Sequence, residues 1–246
     1  MIKEAINRIL ELDEPHFNTI NGDTYCDRQL HRINKELRAD SIGMTSLSSL
    51  VDYIKHNQEL KDVPYIVHII SPTEVRLISS LDNDRKREVL AIVNAELPEF
   101  QFNREIERER FTIGVQSKFV DGVVIDGEPD DKALILKFAG TVKSGTVAEY
   151  SDDGVSQKAT VKKGVSSMTE AIVPSPCKLT PYRTFIEVDQ PTSEFIFRLN
   201  EDRNGEITCA LYEADGGAWK LNATESIKEY LKEELKTIVK PIMIIS

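Results

Sequence analysis

Three short apolar segments decide the fold of this chain: "VPYIVHII" (63–70), "TEVRLISSL" (73–81) and "REVLAIVNAEL" (87–97). Each is rich in Val, Ile and Leu and has the length of a typical β-strand. Ser71-Pro72 separates the first two, and a charged turn separates the second from the third. Because such short connections join neighbouring antiparallel strands, this stretch predicts an antiparallel β-meander.

A second meander is predicted nearer the carboxyl end. Its strands are "RTFIEVD" (183–189), "EFIFRLN" (194–200) and "EITCALYEA" (206–214). The last two are joined through Asn204-Gly205, a strong hairpin signal. Apolar residues alternate with polar ones along both strands, so this sheet should bury one face.

Helices are predicted around and between the meanders. Residues 2–12 carry an apolar stripe at helical spacing, and residues 45–57 carry another behind a Thr45 or Ser46 cap. Further helices are expected over 103–120, after the acidic loop "DGEPDD" (126–131), and from an Asn222–Glu225 capping box. Residues 21–40 fit a short helix or strands equally well.

A terminal strand and a polar hairpin complete the pattern. "IVKPIMIIS" (238–246) reads as a strand that Pro241 confines to a sheet edge or bulge. "EYSDDGVSQKATVKKG" (149–164) reads as two polar strands around an Asp-Gly turn. A loop rich in Ser, Thr and Pro is predicted after it, over 166–180.

The predicted fold class is α+β: two antiparallel β-meanders with packed helices and a protruding polar β-hairpin. The expected regions form one compact domain. They are 1–44 (N-terminal helix and arm region), 45–142 (first meander plus helices), 143–165 (hairpin) and 166–246 (second meander, amphipathic helix and C-terminal strand).

The hairpin predicts a contact between subunits. An isolated two-stranded hairpin is marginally stable in water, and this one has few apolar residues to bury. It would become ordered against a neighbouring subunit or a partner strand. We expect the arm residues in that contact to be Tyr150, Val155, Lys158 and Val161.

Composition excludes several classes of partner. The 246 residues include 41 acidic and 31 basic side chains, for a net charge of −10, so we do not expect a nucleic-acid partner. No apolar run approaches the roughly 20 residues that span a bilayer, and the charged N-terminus does not read as a secretory signal. Cys26, Cys177 and Cys209 are far apart in sequence, which favours a reducing cytoplasm.

Motifs for catalysis or metal binding are missing from the sequence. The four histidines lack a second His or Cys at ligand spacing, and no glycine-rich phosphate loop or nucleophile elbow is present. The acidic residues between Asp121 and Asp131 lack the EF-hand pattern and are typical of a solvated loop before a helix. We therefore predict no catalytic residue, no metal ligand and no cofactor, and we predict that the chain is not an enzyme.

The segment "EADGGAWK" (213–220) leaves two interpretations open. Its glycines and the only tryptophan of the chain, Trp219, could form a loop that stacks a base or a sugar. The favoured interpretation is a turn, with Trp219 packed at a subunit or core boundary.

The order of elements resembles that of a known family. "DSIGMTSLSSLVDYIKHN" (40–57) precedes a meander, "FNREIERERFTIGVQSKFVDG" (102–122) follows it, and "YRTFIEVDQPTSEFIFRL" (182–199) precedes the last helix. This resembles the YfdQ-like family of phage- and prophage-encoded proteins of unassigned function. The resemblance implies a phage gene product that acts in the cytoplasm of the bacterial host, and it carries no residue roles.

We expect a non-enzymatic phage-encoded protein that forms a closed homo-oligomer, a ring or a hollow shell. Its partners would be further copies of itself and an unidentified phage or host protein. One alternative is a binding module that sequesters a nucleotide-like host defence signal in a pocket between subunits, lined by Lys or Arg and by an aromatic residue such as Trp219. Another is an accessory protein in phage DNA replication or recombination, which would bind single strands through Lys158, Lys162 and Lys163.

Overall fold

The structure is a computed structural model that forms two compact units, Met1–Asp40 and Ser41–Ser246. No helix in the described ranges is both long and apolar enough to cross a bilayer. The boundaries predicted for the hairpin region, at 142/143 and 165/166, stay predictions. The described residues are 2–12, 15–20, 23–29, 39–57, 64–82, 85–122, 130–150, 157–163, 167–238 and 242–246.

The described residues of the first unit form one helix and one β-hairpin. Helix α1 spans Ile2–Leu12, as predicted, and β1 (Phe17–Ile20) pairs antiparallel with β2 (Asp23–Cys26). Residues 30–38, predicted as a short helix or strands, lie outside the described residues. Both elements expose large apolar side chains, which are Ile2, Ile6, Phe17, Ile20 and Tyr25.

The first sheet of the second unit, called sheet 1, contains the predicted first meander. Its strands are β3 (Ile42–Met44), β4 (Tyr65–Ser71), β5 (Glu74–Ser79), β6 (Val89–Asn94) and β14 (Met243–Ile245), in the order β14-β4-β5-β6-β3. The three central strands are antiparallel, which confirms the meander. The two edge strands pair in parallel, β14 with β4 and β3 with β6, so the terminal strand does join a sheet edge.

Two helices cover one face of sheet 1 and form core 1. Helix α2 (Leu47–His56) begins after Ser46, whose side chain accepts a hydrogen bond from the Ser49 backbone N–H, as expected for an N-cap. Helix α5 (Trp219–Leu235) packs beside it. The buried side chains of core 1 alternate along the strands, and those on α2 recur at the predicted helical spacing. They include Leu47, Leu50, Val51, Ile54, Val67, Ile69, Val75, Leu77, Ile227 and Leu231.

Sheet 2 contains the second set of strands, in the order β11-β12-β13-β7. β11 spans Cys177–Leu179, β12 Ser193–Glu201, β13 Ile207–Glu213 and β7 Ile106–Glu107, and all pairs are antiparallel. Gly205 has a φ of 78° at the predicted hairpin turn between β12 and β13. The α+β class with two antiparallel meanders is therefore confirmed.

Core 2 lies between sheet 2 and two helices, α3 (Arg108–Lys118) and α4 (Asp131–Thr141). Phe195, Phe197 and Leu199 alternate into it from β12, as the pattern predicted, and Cys209 is buried there as a small apolar residue. The residues of core 2, with the rings that pack on it, fall between positions 100 and 211. In sequence, they lie between the two main parts of the chain that build core 1, to which Phe185 and Val188 also contribute from within this range.

Two helix starts differ from prediction. The helix predicted over 103–120 begins at Arg108, because residues 106–107 pair with β13 and the Glu107 side chain caps the helix by accepting from two backbone N–H groups. The last helix begins at Trp219, so Asn222 and Glu225 lie inside it and the predicted capping box is wrong.

The predicted polar hairpin is part of a three-stranded antiparallel sheet, sheet 3, in the order β10-β9-β8. Its strands are β8 (Val142–Tyr150), β9 (Gln157–Lys163) and β10 (Ser167–Ile172), and β8 lies against β12 and β13. The loop predicted over 166–180 is wrong, since it contains β10 and β11. The polar residues of β10 pair through their backbones with β9, a strand that is also polar. A search for alternating apolar residues does not detect such a strand.

The described residues of the acidic cluster include the N-cap of helix α4, as expected for a solvated loop before a helix. Asp130 is the N-cap of α4, accepting from the Ala133 backbone N–H at 2.6 Å. Asp131 accepts from the Lys178 N–H at 2.6 Å, and Asp121 pairs with Lys132 at 2.6 Å. Residues 123–129 lie outside the described residues. Elsewhere in the described part, no group of three or more His, Cys, Asp or Glu side chains could hold a metal ion.

Lys132→Met is expected to lower the free energy of unfolding by about 2–3 kcal/mol. The Lys132 ammonium is buried and donates to the Phe119 carbonyl at 2.7 Å and the Gln116 carbonyl at 3.3 Å. It therefore supplies a hydrogen-bond donor to carbonyl groups at the end of α3 that lack a partner within the helix. Methionine keeps the packing but leaves these acceptors unsatisfied. Urea unfolding measures the difference. Lys137→Met, on the exposed side of α4, is the control and should stay within about 0.5 kcal/mol of the parent.

Candidate ligand-binding cleft

A cleft of about 830 Å³ opens where sheet 1 and sheet 2 of the second unit meet. Thr73 reaches it from the β4–β5 turn, Lys118 from the end of α3, and Glu213 from the end of β13. The loop over 97–103, the loop over 181–183 and the start of α5 complete its walls. Elements distant in sequence therefore share one concave surface.

Aromatic rings form one wall of the cleft. Phe100 and Phe102 line it with their ring centroids 4.9 Å apart, and Phe102 stacks on Phe195 of β12 at 5.4 Å. Phe100 also meets Phe119 edge-to-face at 4.9 Å. Because Phe119 and Phe195 belong to core 2, this wall is anchored to the interior.

Arg183 contacts several residues of the cleft at once. Its side chain is buried, and its guanidinium carbon lies 4.2 Å from the Trp219 ring centroid and 5.5 Å from that of Phe195. The guanidinium donates to Glu213 Oε1 at 3.1 Å and to the Ser193 hydroxyl. Arg183 therefore joins β12, β13 and the first turn of α5 at one point.

Two carboxylates compensate the charge of Arg183. Burial lowers the pKa of Arg183, while Glu213 and Asp215 beside it favour the charged form. Burial acts to raise the pKa of Asp215, but the Ser193 hydroxyl at 2.6 Å, the Gly217 N–H and the Arg183 charge outweigh it, so this pKa lies below its ordinary value. Arg183 is thus a structural cation, already balanced by its neighbours.

Asn103 holds Glu213 in place. Its Nδ2 donates to Glu213 Oε2 at 3.3 Å, and its Oδ1 accepts from the Glu213 backbone N–H at 3.0 Å. The backbone of Asn103 has a φ of 60°, a left-handed conformation that asparagine tolerates better than most residues. The cleft loop over 97–103 is therefore fixed to the end of β13.

Two glycines bring Trp219 into the cleft. Gly216 and Gly217 have φ values of 63° and 84°, which side chains with a Cβ rarely adopt. Asp215 Oδ1 accepts from the Gly217 N–H at 3.0 Å, which holds the turn just before α5. The half-buried ring of Trp219 follows directly, on the first turn of the helix.

Three charged groups at the cleft are not compensated. Lys118 Nζ donates to the Glu99 backbone carbonyl, and Lys220 Nζ lies 5.9 Å from the Trp219 ring centroid. Within the described part of the chain, neither ammonium forms an ion pair, and the Glu99 carboxylate accepts no hydrogen bond. These two ammonium groups and one carboxylate can therefore interact with a ligand.

Asp215→Asn is expected to lower the free energy of unfolding at pH 7 by about 1 kcal/mol, the size of a weakened charge-assisted bond. Because the folded pKa of Asp215 lies below its ordinary 3.8, its contribution is complete above that value and is lost as the pH falls through the folded pKa. Urea unfolding at pH 7, 5, 4 and 3 should show the difference constant down to about pH 5 and shrinking below about pH 4. Asp189→Asn, an exposed residue of the nearby loop, should show no such difference.

The predicted arm residues that the structure describes lie on the strands of sheet 3. Tyr150 pairs with Gln157 across sheet 3, while Lys158 and Val161 lie on β9; Val155 lies outside the described residues. Their role in an intersubunit contact stays a prediction.

Trp219 contacts Arg183 and lines the cleft, and the stacking of a base or sugar on its ring stays a prediction. Sequence reasoning missed Arg183, Glu213 and Asn103, because "RTFIEVD" was interpreted as a strand. The one local signal was the Asp215-Gly-Gly turn before Trp219.

Comparisons of this chain with family models, with curated proteins and with solved structures found no match. The resemblance to the YfdQ-like family therefore stays a prediction.

Proposed function

We propose that the chain is a binding protein whose cleft takes a small planar molecule with a negatively charged group, such as a nucleotide. The observation that carries this proposal is the pairing of Trp219 with the uncompensated Lys220 ammonium in one cleft, to which Lys118 adds a second cation. An aromatic face stacks any base, and an ammonium attracts phosphate.

Binding rather than catalysis fits the bonding of the cleft. Arg183, Glu213 and Asn103 are already bonded to one another, so none of the three is poised to exchange a proton with a substrate. The volume of about 830 Å³ lies within the range of small-molecule sites. A phage-encoded protein of this kind, acting in the bacterial cytoplasm, would sequester a nucleotide-like host defence signal.

The test uses the fluorescence of Trp219, the only tryptophan of the chain. Titration of AMP into the intact protein should give a saturable change in emission. Lys220→Met should weaken binding roughly tenfold, since a charge-assisted contact of this size is lost. Lys86→Met, in the exposed turn between β5 and β6, is the matched control and should leave binding unchanged. Emission that stays constant up to millimolar nucleotide would refute the proposal.

A second candidate function is closed homo-oligomeric assembly, and the first unit favours it. Ile2 is 81% exposed on α1 and Phe17 is 58% exposed on β1. A unit of about 40 residues is too small to bury much apolar surface alone, and association is one way to cover it.

Solution mass tests the assembly. Mass photometry at low micromolar concentration should give a discrete multiple of 27.8 kDa for the intact chain. The double variant Ile2→Glu/Ile6→Glu should reduce that mass, as should deletion of residues 146–162 if the hairpin is an intersubunit arm. Glu4→Gln is the control on the same helix. A single species of about 28 kDa for the parent chain would exclude assembly.

A further inference from the structure

We infer that the ligand of the cleft carries one phosphate group, as a monoester or diester, and that polyphosphates are discriminated against. This inference rests on the proposed function and specifies which nucleotides the site accepts. The inference depends on which charged groups of the cleft have no partner of opposite charge within the protein.

The groups of the cleft that form no ion pair within the described residues are the ammonium groups of Lys118 and Lys220 and the carboxylate of Glu99. The cluster around Arg183 adds no free cation, because Glu213 and Asp215 set two negative charges against its one positive charge. These six groups carry no net charge together, and the two ammonium groups are the cations that can bind one phosphate, with its charge of about −1 to −2.

Further phosphates would meet negative charge. Glu99 and Glu213 both line the cleft, so each added phosphate brings repulsion without another free ammonium to oppose it. Size does not limit the ligand, since the cleft is near the upper end of the usual range for small-molecule sites. Charge rather than volume therefore selects the ligand.

The helix terminus at the cleft does not change this balance. The first N–H groups around the start of α5 are bonded internally: Gly217 to Asp215, Lys220 to the Gly217 carbonyl at 3.1 Å, and Leu221 to the Ala218 carbonyl at 3.1 Å. Asp215 also places a negative charge beside them. The two lysine side chains are thus the groups that hold the phosphate.

The experiment compares adenosine, 3′,5′-cyclic AMP, AMP and ATP by Trp219 fluorescence at one ionic strength with EDTA, so that no metal ion neutralises the phosphates. Cyclic AMP and AMP should bind at least about tenfold more tightly than adenosine or ATP. Glu99→Gln should tighten ATP binding roughly tenfold and AMP binding less. Lys118→Met should weaken AMP binding and leave adenosine unchanged. Glu96→Gln, an exposed carboxylate that does not line the cleft, is the matched control for Glu99.

The outcomes separate this inference from the proposed function. ATP binding as tight as AMP binding, with no response to Glu99→Gln, would overturn the single-phosphate inference and leave nucleotide binding intact. Adenosine binding as tight as AMP binding would overturn recognition of the phosphate. If none of the four probes changes the emission of Trp219, the proposed function itself fails.

Discussion

Phe185→Ala is expected to lower the free energy of unfolding by about 3–5 kcal/mol and the midpoint of thermal unfolding by roughly 10 °C. Phe185 is 1% exposed and lies in core 1, although it comes from a loop between two strands of sheet 2. Alanine would leave a cavity that the fixed loop cannot fill. The Gln190 side chain bonds to the backbone of that loop, and the Thr184 hydroxyl donates to the Pro72 carbonyl at 2.6 Å.

The next residue provides the control. Ile186 is 80% exposed on the same loop, so Ile186→Ala should change the free energy of unfolding by no more than about 0.5 kcal/mol. Urea and thermal unfolding of both variants measure the contrast. Equal effects of the two substitutions would mean that the loop does not insert into core 1.

Arg183→Met is expected to cost about 3 kcal/mol. Methionine fills the space but leaves Glu213 and Asp215 without their cation, and the contact of the guanidinium with the Trp219 ring is lost. The two carboxylates are partly solvated, which keeps the cost at the lower end of the range for broken buried pairs. Urea unfolding measures the stability, and the emission of Trp219 reports the lost contact directly.

Two further variants serve as comparisons for Arg183→Met. Arg183→Lys should recover less than half of the loss, because an ammonium lacks the planar fork that bonds and stacks at once. Arg203→Met, in the exposed turn between β12 and β13, should be neutral within about 0.5 kcal/mol. An Arg183→Met variant as stable as the parent would show that the network contributes specificity rather than stability.

The elements that the sequence predicted well are those whose signals are local. The stripe of α2, the three central strands of sheet 1 and the Asn204-Gly205 hairpin depend on periodicity or turn chemistry, and all three predictions are confirmed. "RTFIEVD" failed because a short run of Thr, Phe, Ile and Val has the composition of a strand, whereas Phe185 and Val188 lie three positions apart and enter core 1 from a loop. Side-chain bonds from Gln190 replace the strand ladder there, and they are invisible in a linear pattern.

The candidate site was predictable only in part, for the same reason. Trp219 and its glycine turn are a local signal, and the cleft contains them. Arg183 meets Glu213 across 30 positions and Asn103 meets Glu213 across 110, so their network exists only once sheet 2 has formed. No spacing in the sequence encodes such a pairing.

The residues of core 2 lie in sequence between the first meander and the last helix of core 1, and this order has a consequence for biosynthesis. The strands of the first meander leave the ribosome early, but α5 and β14 cover and close their sheet only when residues 219–245 have been made. Core 2 depends on residues 100–211 and can be assembled sooner. We therefore expect the middle of the chain to become resistant to proteases before its beginning, the reverse of the usual order for nascent chains.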